Sequence, residues 1–593
     1  MLRSEASVTR ATTASGGLGD AMTRSSAPRV DARPLPDRPG SGQPGTPPTA
    51  SKSGPDRGAC RRSSKRTRSR TFPSAGKAEN EMLDAEQGTP EFWARTSPDA
   101  PAVVQGEKTL TYGEWNDRAD RVAEGLSRLG LKAGDRLGMR FRLGIEWFVI
   151  QRALQKLGVA QVAVNWKLTP DEATYIIEDS EAVGLACNDR EPSAWAAHNV
   201  GHLITVGQEP GTPGMRYEDL VETPDPTPRF GPLRANLVLY TSGTTGAPRG
   251  VPPLEPGSVD ADWLDRYQRS VASASPVKEG GAVLLTLPVH HGAGPTVATR
   301  ACAAGGTVIL LDPYDAEEAL RLIEKHQVWT WTAVPTMLLR VAALPKQTLD
   351  RYDLSSLKVL RTGASAVPYS LKEWVIDLLG PDVLWETYGA SEAGMISYTA
   401  PEYQLTKPGT SGRPFEGVEI AIVDDEWNRR PAGETGEIAV KTPMVIDHYL
   451  GRGPLGEDTL KDGFYRTGDA GHLDEDGFLY ITDRVKDMIV AGGVNIYPAE
   501  IEKVLVQHPD VIDAAVIGIP EPTFGEQPLA FIVVDPPTTL NDDELLAFLD
   551  GKLAPYKRPR KFVYVEELPV NPTGKVLKSE LRKPYWSDRE RAI

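Results

Sequence analysis

Only three cysteines occur in 593 residues: Cys60, Cys187 and Cys302. They stand far apart, with neither the pattern of a disulfide framework nor the ligand spacing of a zinc site. A reducing, cytoplasmic setting is the default expectation. Long apolar runs are missing as well. None approaches the roughly 18 residues a helix needs to cross a bilayer, so no transmembrane segment is expected. Positive charge is also short: 66 Lys and Arg face 81 Asp and Glu, a formal net charge of -15. With a sequence pI near 5.2, bulk charge argues against a nucleic-acid partner. What remains, 40% hydrophobic and 25% charged residues, is ordinary for a globular protein. The length calls for several domains.

Large apolar side chains are scarce before residue 80. That stretch is rich in Ser, Pro, Gly and Arg and carries 15 Lys and Arg against 6 Asp and Glu. Such a segment cannot bury enough surface to fold. Residues 1–81 are read as an unstructured extension; a transit peptide and a nucleic-acid-binding arm are the other readings. Met82 stands just ahead of the first segment with folding character, Thr89-Pro90-Glu91-Phe92-Trp93.

From Ala102 onward, amphipathic helices alternate with apolar strands, which indicates α/β architecture. Residues 119–129 and 146–157 read as helices, and 158–164, 282–287, 306–311 and 329–334 as strands. Three further strands run into turns rich in Gly, Ser and Thr. The first is Leu237 to Tyr240, followed by Thr241-Ser242-Gly243-Thr244-Thr245-Gly246-Ala247-Pro248-Arg249-Gly250-Val251. The second is Lys358 to Arg361, followed by Thr362-Gly363-Ala364-Ser365. The third is Val383 to Trp385, followed by Glu386-Thr387-Tyr388-Gly389-Ala390-Ser391-Glu392. Ligands of open α/β sheets bind beyond the carboxyl ends of strands, so these turns are expected to converge on one crevice. Beyond Gly412 the pattern changes to short alternating strands. A charged break at Asp483-Arg484-Val485-Lys486-Asp487 precedes a last α/β unit of about 100 residues. The expected division is 1–81, 82–483 and 484–593.

The loop from Thr241 to Arg249 combines hydroxyls, glycines and a fixed cation, an inventory suited to a polyphosphate. It lacks the spacing of a Walker A loop. Glu392 ends the third of these turns. A further motif, Tyr465-Arg466-Thr467-Gly468-Asp469, lies before the charged break.

These stretches resemble, in order and spacing, the motifs of the adenylate-forming superfamily, most closely its acyl-CoA synthetase branch, over roughly residues 90 to 585. Arg249 stands where the family usually has Lys, and Ser391 where it usually has Thr. The resemblance implies a large N-terminal adenylation domain of sheets flanked by helices with a small barrel-like part, and a small mobile C-terminal α/β domain. It implies ATP contacts at Thr241, Ser242, Gly243, Thr244, Thr245, Gly246, Gly363, Ala364, Glu386, Thr387, Tyr388, Gly389, Ser391, Asp469 and Arg484. It makes Glu392 the magnesium ligand and Lys486 the hinge, and it passes the pantetheine of coenzyme A by Gly493. Lys575, in Asn571-Pro572-Thr573-Gly574-Lys575, becomes a catalytic cation beside Arg249 and Glu392. His291 matches a pocket residue for the acid, and no carboxylate stands in residues 289–294 to hold an α-ammonium.

The expected function is therefore ATP-dependent synthesis of an acyl-CoA from a fatty or aryl carboxylic acid through an acyl-adenylate. The alternatives are an adenylating enzyme that loads a carrier protein and a nucleotide- or acyl-binding homologue without catalysis. A homodimer is compatible with the resemblance.

Overall fold

The computed structural model describes residues 88–198, 200–232, 236–241, 248–255, 257–274, 276–363, 367–491, 494–521, 525–534, 540–570 and 576–586. The extension expected over 1–81 lies outside them. Among the described residues the chain builds four sheets in a mixed α/β fold, with a large N-terminal part and a small C-terminal one.

Continuous apolar strands need cover on both faces, which is how parallel sheets are built. Thr307–Leu310, Ala282–Leu285, Val328–Thr332, Val359–Gly363 and Leu384–Ala390 lie parallel and in that spatial order at the centre of a nine-stranded sheet. Arg136–Arg140, Ala160–Val164 and Leu237–Thr241 belong to a parallel run in a seven-stranded sheet. Arg249–Val251 closes its edge antiparallel to Leu237–Thr241.

The largest core lies where one face of each big sheet meets the helices Tyr112–Arg128, Ile145–Leu157 and Ala293–Ala303. Phe141, Trp147 and Phe148 are fully buried there. Each such side chain contributes about 1.5–3 kcal/mol relative to exposure. The other face of the nine-stranded sheet packs on Ala316–His326, Pro335–Ala342 and Tyr369–Leu379. At the start of the described chain, Thr89 caps the helix Pro90–Thr96. That helix carries Glu91 into the interior, where it meets Arg152 at 2.6 Å and Lys156 at 2.9 Å. Lys156 also reaches Asp120 at 2.7 Å. Burial alone would raise the Glu91 pKa, but the two cations hold it below its usual value.

One expectation changes. The stretch 386–390, read as a turn, continues the strand to Ala390. Gly394–Thr399 pairs antiparallel with it, with Tyr388 opposite Ser397. A following strand of matching length supplies the hydrogen bonds, and the turn moves to residues 391–393. Local composition does not reveal such a partner.

After Gly412, the antiparallel strands Glu419–Val423, Gly436–Lys441, Phe464–Leu473 and Leu479–Arg484 belong to a five-stranded sheet. From Ile489 onward a second five-stranded sheet carries the helices Pro498–Leu505 and Asp542–Leu549 on one face and Lys578–Trp586 on the other. Asp483 bridges the two sheets' segments by accepting from the Ala499 amide at 2.8 Å, near the start of the Pro498–Leu505 helix. Arg582 pairs with Asp487 at 2.7 Å.

Candidate active site

The strand Leu237–Thr241 ends at Thr241, whose hydroxyl donates to Glu392 Oε1 at 3.1 Å. Glu392 stands in the turn that closes the hairpin after Leu384–Ala390. The Tyr449 hydroxyl donates to the same oxygen at 3.2 Å. The Arg249 guanidinium lies 5.4 Å from the centre of the Tyr449 ring. The segment carrying Tyr449 is tied down on both sides: the Ile446 amide donates to the Glu392 carbonyl at 2.9 Å and the Leu450 amide to the Gly250 carbonyl at 2.8 Å. Residues from three separate parts of the sequence thus gather one carboxylate, one cation and two hydroxyls. Burial and the Glu392 charge push the phenols of Tyr449 and Tyr465 upward, so both stay protonated donors.

A second group forms at Asp469. In the hairpin of Phe464–Leu473 and Leu479–Arg484, Asp469 lies directly opposite Arg484. Arg484 Nε stands 3.4 Å from Asp469 Oδ1, and the Tyr388 hydroxyl donates to Oδ2 at 2.7 Å. Burial and the Asp469 carboxylate push the Tyr388 phenol well up, which keeps that proton in place. Tyr388 thereby ties the end of the nine-stranded sheet to the five-stranded sheet.

Glycine is required at the strand end between these groups. A Cβ on Gly363 would overlap the Thr387 carbonyl oxygen, and one on Gly389 the Gly394 carbonyl oxygen. Thr387 is half-buried beside Gly363, and Ser391 is exposed in the turn. Glu386 is not brought into the group. Its carboxylate is instead buried in an ion pair with Lys372 of the helix Tyr369–Leu379. Burial raises the Glu386 pKa and Lys372 opposes that.

His291 follows the strand Ala282–Leu285 and is half-buried with Nε2 unpartnered. His290 is buried with neither ring nitrogen partnered, and the two ring centres lie 4.6 Å apart. Burial, with His291, Lys167 and Arg140 nearby, pulls the His290 pKa down to about 3. Ser242, Gly243, Thr244, Thr245, Gly246, Ala364, Gly493 and Lys575 lie outside the described residues, as does the side chain of Lys486. The Lys486 backbone forms part of the short 3-10 turn Val485–Asp487.

Sequence reasoning passed over Tyr449 and Lys372. No spacing rule points to Tyr449, which sits some 57 residues from Glu392. Among the described residues no three His, Cys, Asp or Glu side chains form a metal cluster. One carboxylate beside hydroxyls is nonetheless a donor set suited to magnesium carried with nucleotide phosphates.

The AMP-binding enzyme model matches residues 90–450, and the AMP-binding enzyme C-terminal domain model matches 500–575. The chain belongs to the AMP-binding enzyme family. Within this family it is 35% identical, over 82% of its own length and 98% of the relative's, to the 2-succinylbenzoate--CoA ligase of Bacillus licheniformis. It is 32% identical to the fatty acid--[acyl-carrier-protein] ligase ScoC of Streptomyces coeruleorubidus, over 85% and 97% of the two chains. Among solved structures, it resembles the o-succinylbenzoate coenzyme A synthetase MenE of Bacillus subtilis in complex with ATP and magnesium. That likeness has a TM-score of 0.71 and 29% identity, covering 83% of this chain and 98% of that one. ATP-bound MatB from Rhodopseudomonas palustris gives a TM-score of 0.73 and 29% identity, covering 84% and 99%. For this AMP-binding enzyme, the Glu392 and Asp469 groups lie inside the two matched models or between them.

Proposed function

We propose that this enzyme activates an aryl or fatty carboxylic acid in the cytoplasm, with Glu392, Arg249 and Lys575 as its principal charged groups. The enzyme is an AMP-forming acid–thiol ligase that uses ATP, magnesium and coenzyme A. One observation carries the assignment of residues: Glu392 accepts from Thr241 and Tyr449, and Arg249 lies against the Tyr449 ring.

In the first half-reaction a carboxylate oxygen attacks the α-phosphorus of ATP. The bond to the bridging oxygen breaks, and pyrophosphate leaves. In the second, the thiol of coenzyme A attacks the acyl carbonyl, losing its proton, and AMP leaves. Arg249 and the hydroxyls and amides of residues 241–246 would hold the phosphates. Asp469, its carboxylate oriented by Tyr388 and Arg484, would accept the ribose hydroxyls. Magnesium, held by Glu392, would neutralise charge on the phosphate oxygens. Lys575 would meet the α-phosphate when the C-terminal part, which we place at 484–593 with Lys486 as its hinge, closes over the crevice. Gly493 would then border the pantetheine path, and His291 the acid. Buried Cys187 and Cys302, both as thiols, support a reducing compartment.

The decisive experiment measures acid-dependent ATP–pyrophosphate exchange and thioester formation separately. Lys575→Ala is expected to lose exchange by about 100- to 1000-fold, the usual effect of removing one positioned electrostatic donor. Given preformed acyl-adenylate and coenzyme A, it should still make thioester near the parent rate. Equal damage to both halves would refute the assignment. The likeness to ScoC, a carrier-protein ligase, favours a second reading in which a carrier thiol accepts the acyl group. Offering coenzyme A and a phosphopantetheinylated carrier in parallel separates the two.

A further inference from the structure

The apolar face that the nine-stranded sheet turns toward the helix Ala293–Ala303 stops short. On Ala282–Leu285 and Thr307–Leu310 that face carries Val283, Leu285, Val308 and Leu310, all in the main core. On the next strands the same face takes in polar groups between the apolar Val359 and Trp385. Thr330 and Thr332 lie in register with Val283 and Leu285. Arg361 lies in register with Thr332 on one side and Trp385 on the other. The alternate residues Trp331, Leu360 and Leu384 pack in the opposite core, so strand alternation points Thr332 and Arg361 toward the helix side.

Arg361 is only 7% exposed. Its Nε has no hydrogen-bond partner, and the Thr330 and Thr332 hydroxyls have none either. Among the described residues the charged group acting on Arg361 is Arg300, a second cation. Arg300 already spends one nitrogen, Nη2, on the Val271 and Ala272 carbonyls, each at 3.1 Å. Burial and Arg300 pull the Arg361 pKa down to about 9, which leaves it charged at neutral pH. A buried guanidinium with no carboxylate costs stability. An anion beside it would satisfy both the guanidinium and the unpaired hydroxyls.

The position bears on which anion it would take. Arg361 stands two residues before Gly363 on one strand, and strands rise about 3.3 Å per residue, so its Cα lies roughly 7 Å below the strand ends where the nucleotide groups gather. From that depth the Arg361 side chain can meet an anionic group carried by the acid that reacts at the strand ends. We propose that Arg361, with Thr332 and Thr330 beside it, is a specificity-determining residue that binds a second carboxylate of the acid. The substrate class is then dicarboxylic, with one carboxylate activated and the other held by Arg361. This rests on the ligase reading of the site.

The test is acid-dependent pyrophosphate exchange with matched acids that differ by one carboxylate: adipate against hexanoate, suberate against octanoate, and 2-succinylbenzoate against its analogue lacking the ring carboxylate. The parent enzyme should prefer the diacid of at least one pair. Arg361→Gln should lower kcat/KM for that diacid by about 10- to 100-fold, the range for losing a hydrogen bond to a charged group. Most of the loss should fall in KM, and the monoacid should change little. Arg361→Lys should restore part of the preference. The melting temperature of Arg361→Gln should hold or rise, because an unpaired buried charge is removed. Preference for monoacids in every pair, or equal loss of mono- and diacid use in Arg361→Gln, would overturn the proposal and leave the ligase reading intact. No exchange with any acid would overturn both.

Discussion

Glu392 receives two hydroxyl hydrogen bonds on one oxygen, which leaves the second oxygen for another partner. Glu392→Gln removes the charge while preserving the shape. The expected outcome is a loss of about 100- to 1000-fold in pyrophosphate exchange, with a raised magnesium requirement and an unchanged melting temperature. Tyr449→Phe keeps the ring beside Arg249 and loses only the hydroxyl. Its exchange rate should fall by about 10- to 100-fold, the value of one hydrogen bond to a charged group. The candidate Glu392 was legible because a hydroxyl–glycine loop and a Tyr-Gly-x-Ser-Glu stretch have recognisable chemistry. Tyr449 was not, because its role depends only on where residues 446–450 come to lie.

Elements decide which way a residue faces. The strand Leu384–Ala390 carries both Glu386, paired with Lys372, and Tyr388, which donates to Asp469 near the strand's end. The irregular register beyond Tyr388 falls where the strand leaves the parallel sheet and continues only as a hairpin. Gly363 lies at a strand end, against the neighbouring strand's Thr387. Gly363→Ala would force its Cβ onto the Thr387 carbonyl oxygen. The expected cost is about 1–3 kcal/mol, read as a lower urea midpoint, together with weaker ATP binding. Strand positions were legible from apolar runs, to within a few residues. The length of Leu384–Ala390 was not, because an antiparallel partner further along the chain extends it.

At the scale of the whole molecule, Glu91 joins the first described helix to the main core. Glu91→Ala would leave Arg152 and Lys156 short of a buried partner, at an expected cost of about 3–5 kcal/mol. A urea titration at neutral pH measures it. Acid should act in two steps. His290 is held near 3 in the fold against an ordinary 6.5. As pH falls from 6.5 the unfolded chain takes a proton the folded one refuses, so stability declines through that window. Glu91 is held below its ordinary 4.5. Its contribution is complete above that value and is lost as pH falls through the lower folded value. Urea midpoints for His290→Asn should flatten the first decline, and those for Glu91→Gln the second.

The sequence by itself determined the mixed α/β class and the family, because apolar periodicity and the loop motifs are local patterns that survive without coordinates. It also determined that Asp469, Arg484 and Glu392 were worth watching, since carboxylates and cations in glycine-rich settings carry their chemistry in their type. Only the tertiary structure decided which side chains meet. It turned Glu386 away to Lys372, brought Tyr449 to Glu392, and left Arg361 buried beside unpaired hydroxyls with a second arginine as its charged neighbour. Burial and pairing are properties of the folded assembly: the free energy of a charge depends on what surrounds it in space, and neighbours in sequence do not supply that.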